Sequence, residues 1–353
     1  MLPTTMNAAL LLGHGGLEQL VYRGGVPVPR PAPDEVLIRV GAAGLNNTDI
    51  NLRAGWYSKS FGVAPGGAAV ADDAGWTGAP LTFPRIQGVE ACGWIVAVGA
   101  AVDPARIGER VLVNPVLEPA PGSLPDAVRY FGSDCNGAFA EYAVLPARNA
   151  VRIASSLTDI ELASFPCAYT AAENMLSRAR VVATDTVLVT GASGGVGSAA
   201  VQLARRRGAQ VIAVAGASKA NEVVALGAAR ALVRGSDLVA TLGAGSVNVV
   251  IDVVGGSQFP RLLDVLVRHG RYAAAGAIDG ALVELDLRTL YLKDLELHGC
   301  TIPAPEVFPN LVRYIERGEI RPLVSAAYPL AEVAAAEAAF TAKAHVGKIV
   351  LFP

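Results

Sequence analysis

The sequence predicts an α/β protein with two domains, one rich in short strands and one built on a doubly wound parallel sheet. The chain has 353 residues, and a typical domain has about 100–200. Its first part consists of short apolar runs separated by Gly and Pro, which is typical of strands and turns. From about Thr186 onward, apolar runs alternate with helical segments, and this pattern predicts parallel strands joined by right-handed crossovers.

Composition and charge exclude several classes of protein. Hydrophobic residues make up 52% of the chain and charged residues 17%, which is enough apolar material for two cores. The net charge is -2, and the densest basic cluster, 205–207, lies at the end of a predicted helix, where cations are favourable. We therefore expect no nucleic-acid partner.

The chain shows no apolar run of about 18 residues and no signal-peptide pattern, so we expect no membrane partner. Four dispersed cysteines without a CxxC pair fit reduced thiols and a cytoplasmic location.

The elements are predicted from apolar runs and their boundaries. The early strands include Ala8–Leu12, Glu35–Val40, Gly93–Val98 and Arg110–Val113. Two Gly-, Ala- and Pro-rich stretches, 57–83 and 115–137, are predicted loops, either binding lids or surface excursions. The later strands are Thr186–Thr190, Gln210–Ala215, Ala228–Val233, Val247–Asp252, Arg271–Ala275, Leu295–Thr301 and Lys348–Leu351. The helices are Val196–Arg207, Lys219–Leu226, Gln258–Arg268, Glu306–Arg317 and Ala331–Ala342.

The strongest motif is a glycine-rich turn between the strand at 186–190 and the helix that follows it. Its spacing is G-x-x-G-x-x-G, a relative of the dinucleotide fingerprint, and the strand-turn-helix context makes it meaningful. Glycines let the backbone approach a pyrophosphate, and the helix N-terminus supplies N–H donors. We expect the coenzyme to contact Gly191, Ala192, Ser193, Gly194, Gly195, Val196 and Gly197.

The end of the second parallel strand indicates which coenzyme binds. A coenzyme with a free 2′-hydroxyl usually meets Asp or Glu there, whereas this chain has Gly216, Ser218 and Lys219. Arg234, after the third strand, adds a second cation. We therefore expect NADP(H), although Lys219 is also interpretable as a solvated residue at a helix start.

Further coenzyme contacts are expected at the ends of the fourth and fifth strands, because ligands of open α/β sheets bind at the carboxyl ends of strands. Small residues there would let the nicotinamide lie against backbone. The expected residues are Val254, Gly255, Gly276 and Ala277.

The whole chain resembles the medium-chain dehydrogenase/reductase superfamily, and within it the zinc-free quinone oxidoreductase-like branch. The resemblance rests on the segments 44–49, 88–93, 98–99 and 107–111, on the glycine-rich turn and on the terminal segment 346–351. It implies a Rossmann domain inserted into a GroES-like catalytic domain. The expected bounds are 1–150 for the first catalytic part, 151–303 for the Rossmann domain and 304–353 for the second catalytic part.

The resemblance further implies a homodimer or a tetramer joined through the edge of the Rossmann sheet, near Leu295–Thr301, and of the two we expect the homodimer. Thr170 is a candidate nicotinamide contact, and Lys348, in the terminal segment, is counted among the coenzyme-binding residues.

Zinc is not expected. The zinc-dependent members place a Cys where this chain has Asn46 and a His where it has Val89, while Cys167 lies close to the position of a third ligand. A catalytic zinc needs three protein ligands, so one candidate of three does not suffice.

Without a metal, hydrogen-bond donors must stabilise the negative charge that develops on the substrate oxygen. The candidates are Asn46, Asp49 and Tyr57, the last because it matches a cleft tyrosine of the quinone oxidoreductase branch. Each has a plainer interpretation: Asn46 holds a turn, Asp49 caps the next helix, and Tyr57 is a wall residue.

We therefore expect NADPH-dependent hydride transfer to a small molecule, either a quinone or an α,β-unsaturated carbonyl. Two alternatives remain: an alcohol or aldehyde oxidoreductase of the same superfamily, and a non-catalytic NADPH-binding protein.

Overall fold

The computed structural model describes residues 2–61, 73–117 and 128–353. Within these ranges the strands are β1 (Thr5–Leu11), β2 (Leu20–Pro27), β3 (Glu35–Gly44), β4 (Arg85–Ile86), β5 (Glu90–Val98), β6 (Arg110–Val113), β7 (Val116–Leu117), β8 (Arg129–Tyr130), β9 (Tyr142–Pro146), β10 (Ala150–Arg152), β11 (Thr186–Val189), β12 (Gln210–Ala215), β13 (Arg230–Val233), β14 (Val247–Asp252), β15 (Leu266–Ala274), β16 (Glu296–Gly299), β17 (Val324–Pro329) and β18 (Lys348–Phe352). The helices are α1 (Asn47–Ala54), α2 (Asp159–Leu162), α3 (Pro166–Arg178), α4 (Gly195–Arg206), α5 (Ala220–Ala225), α6 (Leu238–Leu242), α7 (Phe259–Asp264), α8 (Leu287–Leu292), α9 (Val307–Glu316) and α10 (Val333–Thr341). The two predicted loops, 57–83 and 115–137, lie partly outside the described residues, at 62–72 and 118–127.

The chain divides into two compact units. The first, which we call the catalytic unit, consists of Met1–Cys167, Pro322–Ala344 and Lys348–Pro353. The second, the dinucleotide unit, consists of Ala168–Arg321 and His345–Gly347. These divisions fall later in the chain than the predicted ones at 150/151 and 303/304. Helix α9, for example, lies within the dinucleotide unit, whereas the sequence placed it in the second catalytic part.

The dinucleotide unit contains a six-stranded parallel sheet with the order β13-β12-β11-β14-β15-β16. The direction of winding reverses between β11 and β14, and ligands of such sheets bind where this happens, at the carboxyl ends of the strands. Strand β11 is buried on both faces, since Val187, Leu188 and Val189 have no exposed surface. A strand covered on both faces requires the unbroken apolar run that the sequence shows.

The catalytic unit contains a mixed sheet in which the C-terminal strand lies between β17 and β3, while β1, β2 and β4 form a separate sheet. The order of the mixed sheet is β10-β6-β5-β3-β18-β17, with β9 paired to β3. The C-terminal strand β18 pairs antiparallel with β3 and parallel with β17. The structure therefore confirms the predicted fold class: a Rossmann domain inserted between the two parts of a GroES-like domain.

One predicted element is wrong in its second half. The helix predicted at Gln258–Arg268 ends at Asp264, and strand β15 begins two residues later, at Leu266. Leu266 pairs with Val247 of the neighbouring strand β14, so the pairing partner in the sheet decides the conformation here. Among the described residues, none of the helices is long and apolar enough to cross a membrane.

Candidate active site and coenzyme site

The glycine-rich turn at the end of β11 contains two positions, Gly191 and Gly197, where the backbone fits only glycine. Gly191 has a φ of +56°, a left-handed conformation that residues with a Cβ rarely adopt. At Gly197, a Cβ atom would lie 2.2 Å from the carbonyl oxygen of Gly191, so helix α4 begins in direct backbone contact with the turn. The sequence pattern therefore reflects a close approach of two backbone segments.

Helix α4 presents its first amides at this turn. The amide of Ser198 donates to the carbonyl of Gly194 at 2.9 Å, and the amides of residues 195–197 precede this first helical bond. N–H groups in the first turn have no partner within a helix and carry the positive end of its dipole. The amides of Ala192 and Gly194, by contrast, donate to the carbonyls of Val214 and Gly191, both at 3.0 Å. Among the amides of this turn, those of Ala192 and Gly194 are therefore already engaged within the fold, and binding of an anion by the amides of residues 195–197 stays a prediction.

The end of strand β12 carries two cations beside a glycine. A Cβ built on Gly216 would lie 3.6 Å from Nη2 of Arg234, so the guanidinium lies next to this strand end. The ammonium of Lys219 donates to the carbonyl of His345 at 2.8 Å. Partial burial and the nearby charge of Arg234 lower the pKa of Lys219. Ser218 is exposed in the same turn.

A cavity of about 270 Å³ lies between the loops that follow β13 and β14, and its lining begins at Gly235, one residue after Arg234. Residues 235–238 line one side, and Ser257, Gln258 and Arg261 line the other. The cavity therefore adjoins the position of Arg234 in the chain and offers mainly polar walls.

The remaining predicted coenzyme residues lie in the dinucleotide unit as follows. Val254 and Gly255 form the turn after β14, where Gly255 has a φ of +64°. Gly276 follows β15, and a Cβ there would lie 2.9 Å from the carbonyl oxygen of Val253. Ala277 comes next in the chain, and Thr170 is buried in α3. The turns after β14 and β15 are thus in backbone contact.

In the catalytic unit, Asn46 lies in a buried polar cluster that we call the Asn46 centre, formed by Asn46, Glu90 and Lys348. The Asn46 Nδ2 donates to Oε1 of Glu90 at 2.8 Å and to the carbonyl of Gly44 at 3.3 Å. Its Oδ1 accepts a hydrogen bond of 2.6 Å from Nζ of Lys348. Lys348 also donates to the carbonyl of Leu45 at 2.7 Å and forms an ion pair with Glu90. Glu90 is fully buried and Lys348 is 2% exposed.

These contacts use all three N–H bonds of the Lys348 ammonium within the catalytic unit. The sequence predicted a coenzyme contact for Lys348, but the structure gives its Nζ three acceptors that belong to the Asn46 centre. Both ends of the Asn46 amide are likewise engaged, so its contact with a substrate stays a prediction. What the geometry shows is that Lys348 and Glu90 fix the orientation of the Asn46 side chain.

Asp49 lies inside helix α1 and not before it. The helix begins at Asn47, with Asn46 as its N-cap. The carboxylate of Asp49 reaches back to accept from the amide of Asn46 at 2.9 Å and from the amide of Gly88 at 3.2 Å. Burial and, to a lesser extent, the nearby carboxylate of Glu337 raise the pKa of Asp49 to about 7. Asp49 therefore joins the start of α1 to the Gly88 turn.

Tyr57 is half-buried near the same helix, with its phenol in hydrogen-bond contact with Thr48 and Asn51. Burial raises the pKa of Tyr57 to about 12, so the phenol keeps its proton at any physiological pH. Trp56, its neighbour, packs edge-to-face against it with ring centroids 5.6 Å apart. Tyr57 is thus a protonated hydrogen-bond donor.

A second aromatic pair lies close by in the catalytic unit. Trp76 stacks on Tyr130 with a centroid distance of 4.2 Å and an interplanar angle of 17°. The hydroxyl of Tyr130 lies 3.4 Å from Sγ of Cys167, and burial raises the pKa of that thiol to about 12. The amide of Cys167 donates to Oε2 of Glu90 at 2.6 Å, which joins this pair to the Asn46 centre.

The donor chemistry does not fit the catalytic zinc of the metal-dependent relatives. The three positions carry an amide, an isopropyl group and a thiol, at Asn46, Val89 and Cys167, so only one of them offers a usual zinc ligand. The Asn46 oxygen already accepts from the Lys348 ammonium, and Val89 is fully buried in apolar surroundings. Among residues 2–61, 73–117 and 128–353, no group of three or more His, Cys, Asp or Glu side chains is arranged to hold a metal ion.

Two of the buried carboxylates, Glu90 and Asp252, contact predicted site residues, but sequence reasoning gave them no role. Glu90 stands in a motif that supported the resemblance, but no role was predicted for it. Asp252 ends strand β14 and contacts Thr190 and Tyr272. The available signal was a charged residue at the end of an apolar strand, because a buried carboxylate requires specific partners.

Two family models match the chain. Residues 32–155 match the alcohol dehydrogenase GroES-like domain, and residues 195–317 match the zinc-binding dehydrogenase domain. The second match covers part of the dinucleotide unit. Asn46, Val89 and Cys167, which stand where zinc-dependent members have ligands, lie outside it, in the catalytic unit.

Known relatives match the chain along its whole length. A quinone oxidoreductase of Lama guanicoe is 27% identical, with 98% of this chain and 97% of the relative covered. An acryloyl-coenzyme A reductase of Metallosphaera sedula is 28% identical, with 98% and 99% covered. A solved structure from Sinorhizobium meliloti 1021, described provisionally as an alcohol dehydrogenase, is 51% identical, has a TM-score of 0.91, and covers 100% of this chain and 98% of its own. With both family domains in the expected order and relatives over its full length, the chain belongs to the medium-chain dehydrogenase/reductase superfamily of oxidoreductases.

Proposed function

We propose that this oxidoreductase uses NADPH to reduce a quinone or an α,β-unsaturated carbonyl compound, without a metal. The observation that carries the choice of coenzyme is the pair of cations at the end of β12. Arg234 lies beside Gly216, Lys219 lies in the same turn, and no carboxylate occupies 215–219. A 2′-phosphate on the adenosine ribose would pair with these cations, and the adjoining cavity offers space for the adenine.

The residues fit a dinucleotide. The amides of residues 195–197 would bind the pyrophosphate, and the glycines at 191 and 197 let the backbone approach it. The bound coenzyme supplies a hydride from its nicotinamide ring.

Negative charge then develops on the carbonyl oxygen of the acceptor, and the catalytic unit must stabilise it. We assign this role to Tyr57, because its phenol, which is protonated at physiological pH and lies beside Thr48 and Asn51, matches the cleft tyrosine of the quinone oxidoreductase branch and can donate a hydrogen bond. The phenol or solvent then delivers the proton that completes reduction. Asn46 is proposed as a second donor, which requires its amide to exchange the 3.3 Å hydrogen bond to the Gly44 carbonyl for one to the substrate while the bonds to Glu90 and Lys348 hold its orientation. Asp49 is proposed to position Asn46 through its backbone amide.

The test of the coenzyme assignment is a comparison of NADPH and NADH dissociation constants. For the unchanged protein we expect tighter binding of NADPH. Arg234→Ala should weaken NADPH binding by roughly tenfold to a hundredfold, the effect of losing a charge-assisted hydrogen bond, and should leave NADH binding unchanged. Arg230→Ala is the matched control, since Arg230 begins the same strand β13 at its opposite end. Equal affinity for the two coenzymes in the unchanged protein would contradict the assignment.

The test of the reaction is turnover with NADPH against quinones, enones, enoyl thioesters and aldehydes. Tyr57→Phe should lower kcat on the preferred acceptor by roughly a hundredfold, as loss of an oxyanion donor does, while the KM for NADPH stays constant. Tyr142→Phe, another half-buried tyrosine of the catalytic unit, is the control. A zinc content near one per chain, with activity lost on chelation, would contradict a metal-free mechanism.

A homodimer is part of the proposal. Strand β16 is an edge of the parallel sheet, and large apolar side chains between residues 282 and 297 are exposed, with Leu282 at 96%, Leu287 at 62% and Tyr291 at 61%. Such side chains near an open edge favour association with a second copy. Leu287→Asp should shift the mass measured by light scattering towards the monomer.

A cytoplasmic location is also proposed, and the free thiols of the four cysteines support it.

Oxidation of an alcohol or reduction of an aldehyde is the second candidate, favoured by the 51% identity to the Sinorhizobium meliloti protein. Turnover confined to the alcohol and aldehyde members of the panel would select it. NADPH binding without turnover on any acceptor would favour a non-catalytic role.

A further inference from the structure

Asp252 is a fully buried carboxylate at the carboxyl end of β14, next to the switch point of the parallel sheet. Two hydroxyl groups donate to it, Oγ1 of Thr190 at 2.5 Å and the phenol of Tyr272 at 2.5 Å. Two backbone amides also donate, that of Val254 at 2.8 Å and that of Gly255 at 3.2 Å. A buried carboxylate with four donors is far more constrained than a surface one.

Thr190 connects this carboxylate to the glycine-rich turn. It is the residue immediately before Gly191, and its Oγ1 also accepts from the amide of Val253 at 3.2 Å. A Cβ built on Gly191 would lie 3.0 Å from Cγ2 of Val253 and 3.2 Å from Cγ2 of Val254. The turns after β11 and β14 are therefore packed together, and the hydroxyl of Thr190 bridges them.

The turn after β14 holds the turn after β15 in the same way. The carbonyl of Val254 accepts from the amide of Asp279 at 2.9 Å, and the amide of Gly256 donates to the carbonyl of Gly280 at 3.1 Å. Tyr272, which donates to Asp252, lies on β15 itself. Thus one carboxylate is connected to the three turns that contain the proposed pyrophosphate and nicotinamide contacts.

We infer that Asp252 is a positioning residue for the dinucleotide, acting through Thr190, Tyr272 and the 253–255 backbone to fix three coenzyme-binding turns relative to one another. The inference rests on the proposed dinucleotide site. Asp252 acts on the coenzyme only through the positions of these turns. Removing one of its hydrogen-bond donors should therefore weaken coenzyme binding and leave the KM for the acceptor unchanged.

The experiment removes one donor at a time and leaves the carboxylate in place. Thr190→Val removes the hydroxyl and keeps the shape, and Thr190→Ser restores the hydroxyl. Tyr272→Phe removes only the phenol oxygen. The controls are Thr186→Val, at the opposite end of β11, and Tyr169→Phe, which removes another buried phenol of the dinucleotide unit that donates to Arg321. Dissociation constants of NADPH and NADH, KM for each substrate and thermal stability are measured for every variant.

We expect Thr190→Val and Tyr272→Phe each to weaken binding of whichever coenzyme the unchanged protein prefers by roughly tenfold, the effect of one lost hydrogen bond to a charged group. The KM for the acceptor should stay constant, and Thr190→Ser should restore affinity. Tyr169→Phe should lose stability without losing affinity, and Thr186→Val, which removes only an exposed 3.4 Å hydrogen bond to Gln210, should change neither. If Thr190→Val and Tyr272→Phe only lower the melting temperature and bind coenzyme as before, Asp252 is purely structural and the inference is wrong. If the unchanged protein binds neither coenzyme, the proposed function and this inference both fail.

Discussion

The ammonium of Lys348 donates a 2.6 Å hydrogen bond to the side-chain oxygen of Asn46, which lies 302 residues earlier in the chain. This contact joins the C-terminal strand β18 to the N-cap of helix α1. It places a buried cation between an amide and the carboxylate of Glu90. The orientation of Asn46, and with it the start of α1, therefore depends on the last strand of the protein.

The first prediction concerns Lys348. Lys348→Met should lower the free energy of unfolding by about 3–5 kcal/mol, because Glu90 would remain buried without its counter-charge. Turnover should fall as well, since the Asn46 amide loses a fixed partner. Chemical denaturation and kcat measure the two effects.

The control for Lys348→Met is Lys343→Met. Lys343 donates to the side chain of Asn47 at 2.9 Å in exposed surroundings, and exposed pairs contribute only about 0–1 kcal/mol. Equal decreases in the free energy of unfolding in the two variants would contradict the prediction, because the buried ion pair would then contribute no more to stability than an exposed contact.

The second prediction concerns the pH dependence of stability. Asp49 has an ordinary pKa of 3.8, which folding raises to about 7, so the fold favours the protonated carboxyl. Stability from this group is fully present below about pH 4 and is lost as the pH rises through 7, by up to roughly 4 kcal/mol. Asp49→Asn should remove this part of the decline between pH 4 and 7. Urea denaturation at several pH values measures it, and parallel curves for the two proteins would contradict the shift.

The third prediction concerns the ion pair of Arg53 and Glu337. Nη2 of Arg53 lies 2.8 Å from Oε2 of Glu337, and the glutamate side chain is fully buried. The pair joins α1 to α10 within the catalytic unit. Glu337→Leu alone should lower the free energy of unfolding by about 3–5 kcal/mol, because it leaves the buried guanidinium without a counter-charge, with only the Gly15 carbonyl still accepting from it. The double variant Arg53→Met, Glu337→Leu should recover most of this loss, and additive losses in a double-mutant cycle would rule out coupling.

The fourth prediction concerns the two backbone segments in contact at the glycine-rich turn. Gly197→Ala should lower the free energy of unfolding by about 1–3 kcal/mol, since its Cβ would lie 2.2 Å from the Gly191 oxygen. NADPH binding should weaken with it, because α4 must shift. Gly194→Ala is the control for stability alone, since the nearest atom to its Cβ would be 3.5 Å away. Wild-type stability in Gly197→Ala would show that the turn is not tightly packed.

Local sequence patterns predicted the parts of this protein whose conformation depends on near neighbours. One example is the strand-turn-helix segment formed by β11, the glycine-rich turn and α4. Its three parts lie within about 20 residues, so the local pattern of apolar residues and glycines suffices to predict it. Strand β2 was not predicted, because Gly24 and Gly25 lower the strand propensity of this segment. Hydrogen bonding to β1 stabilises the strand in the folded protein. The helix predicted beyond Asp264 failed for the same reason, since the pairing of Leu266 with Val247 outweighs helix propensity.

The sequence by itself determined the family, the order of the two domains and the position of the glycine-rich turn, because these follow from spacing along the chain. Only the tertiary structure decided that Lys348 contacts Asn46 and Glu90, and that Asp252 connects three turns. The physical reason is that a buried charge is stable only with partners, and those partners come from strands far apart in the chain that no local pattern brings together.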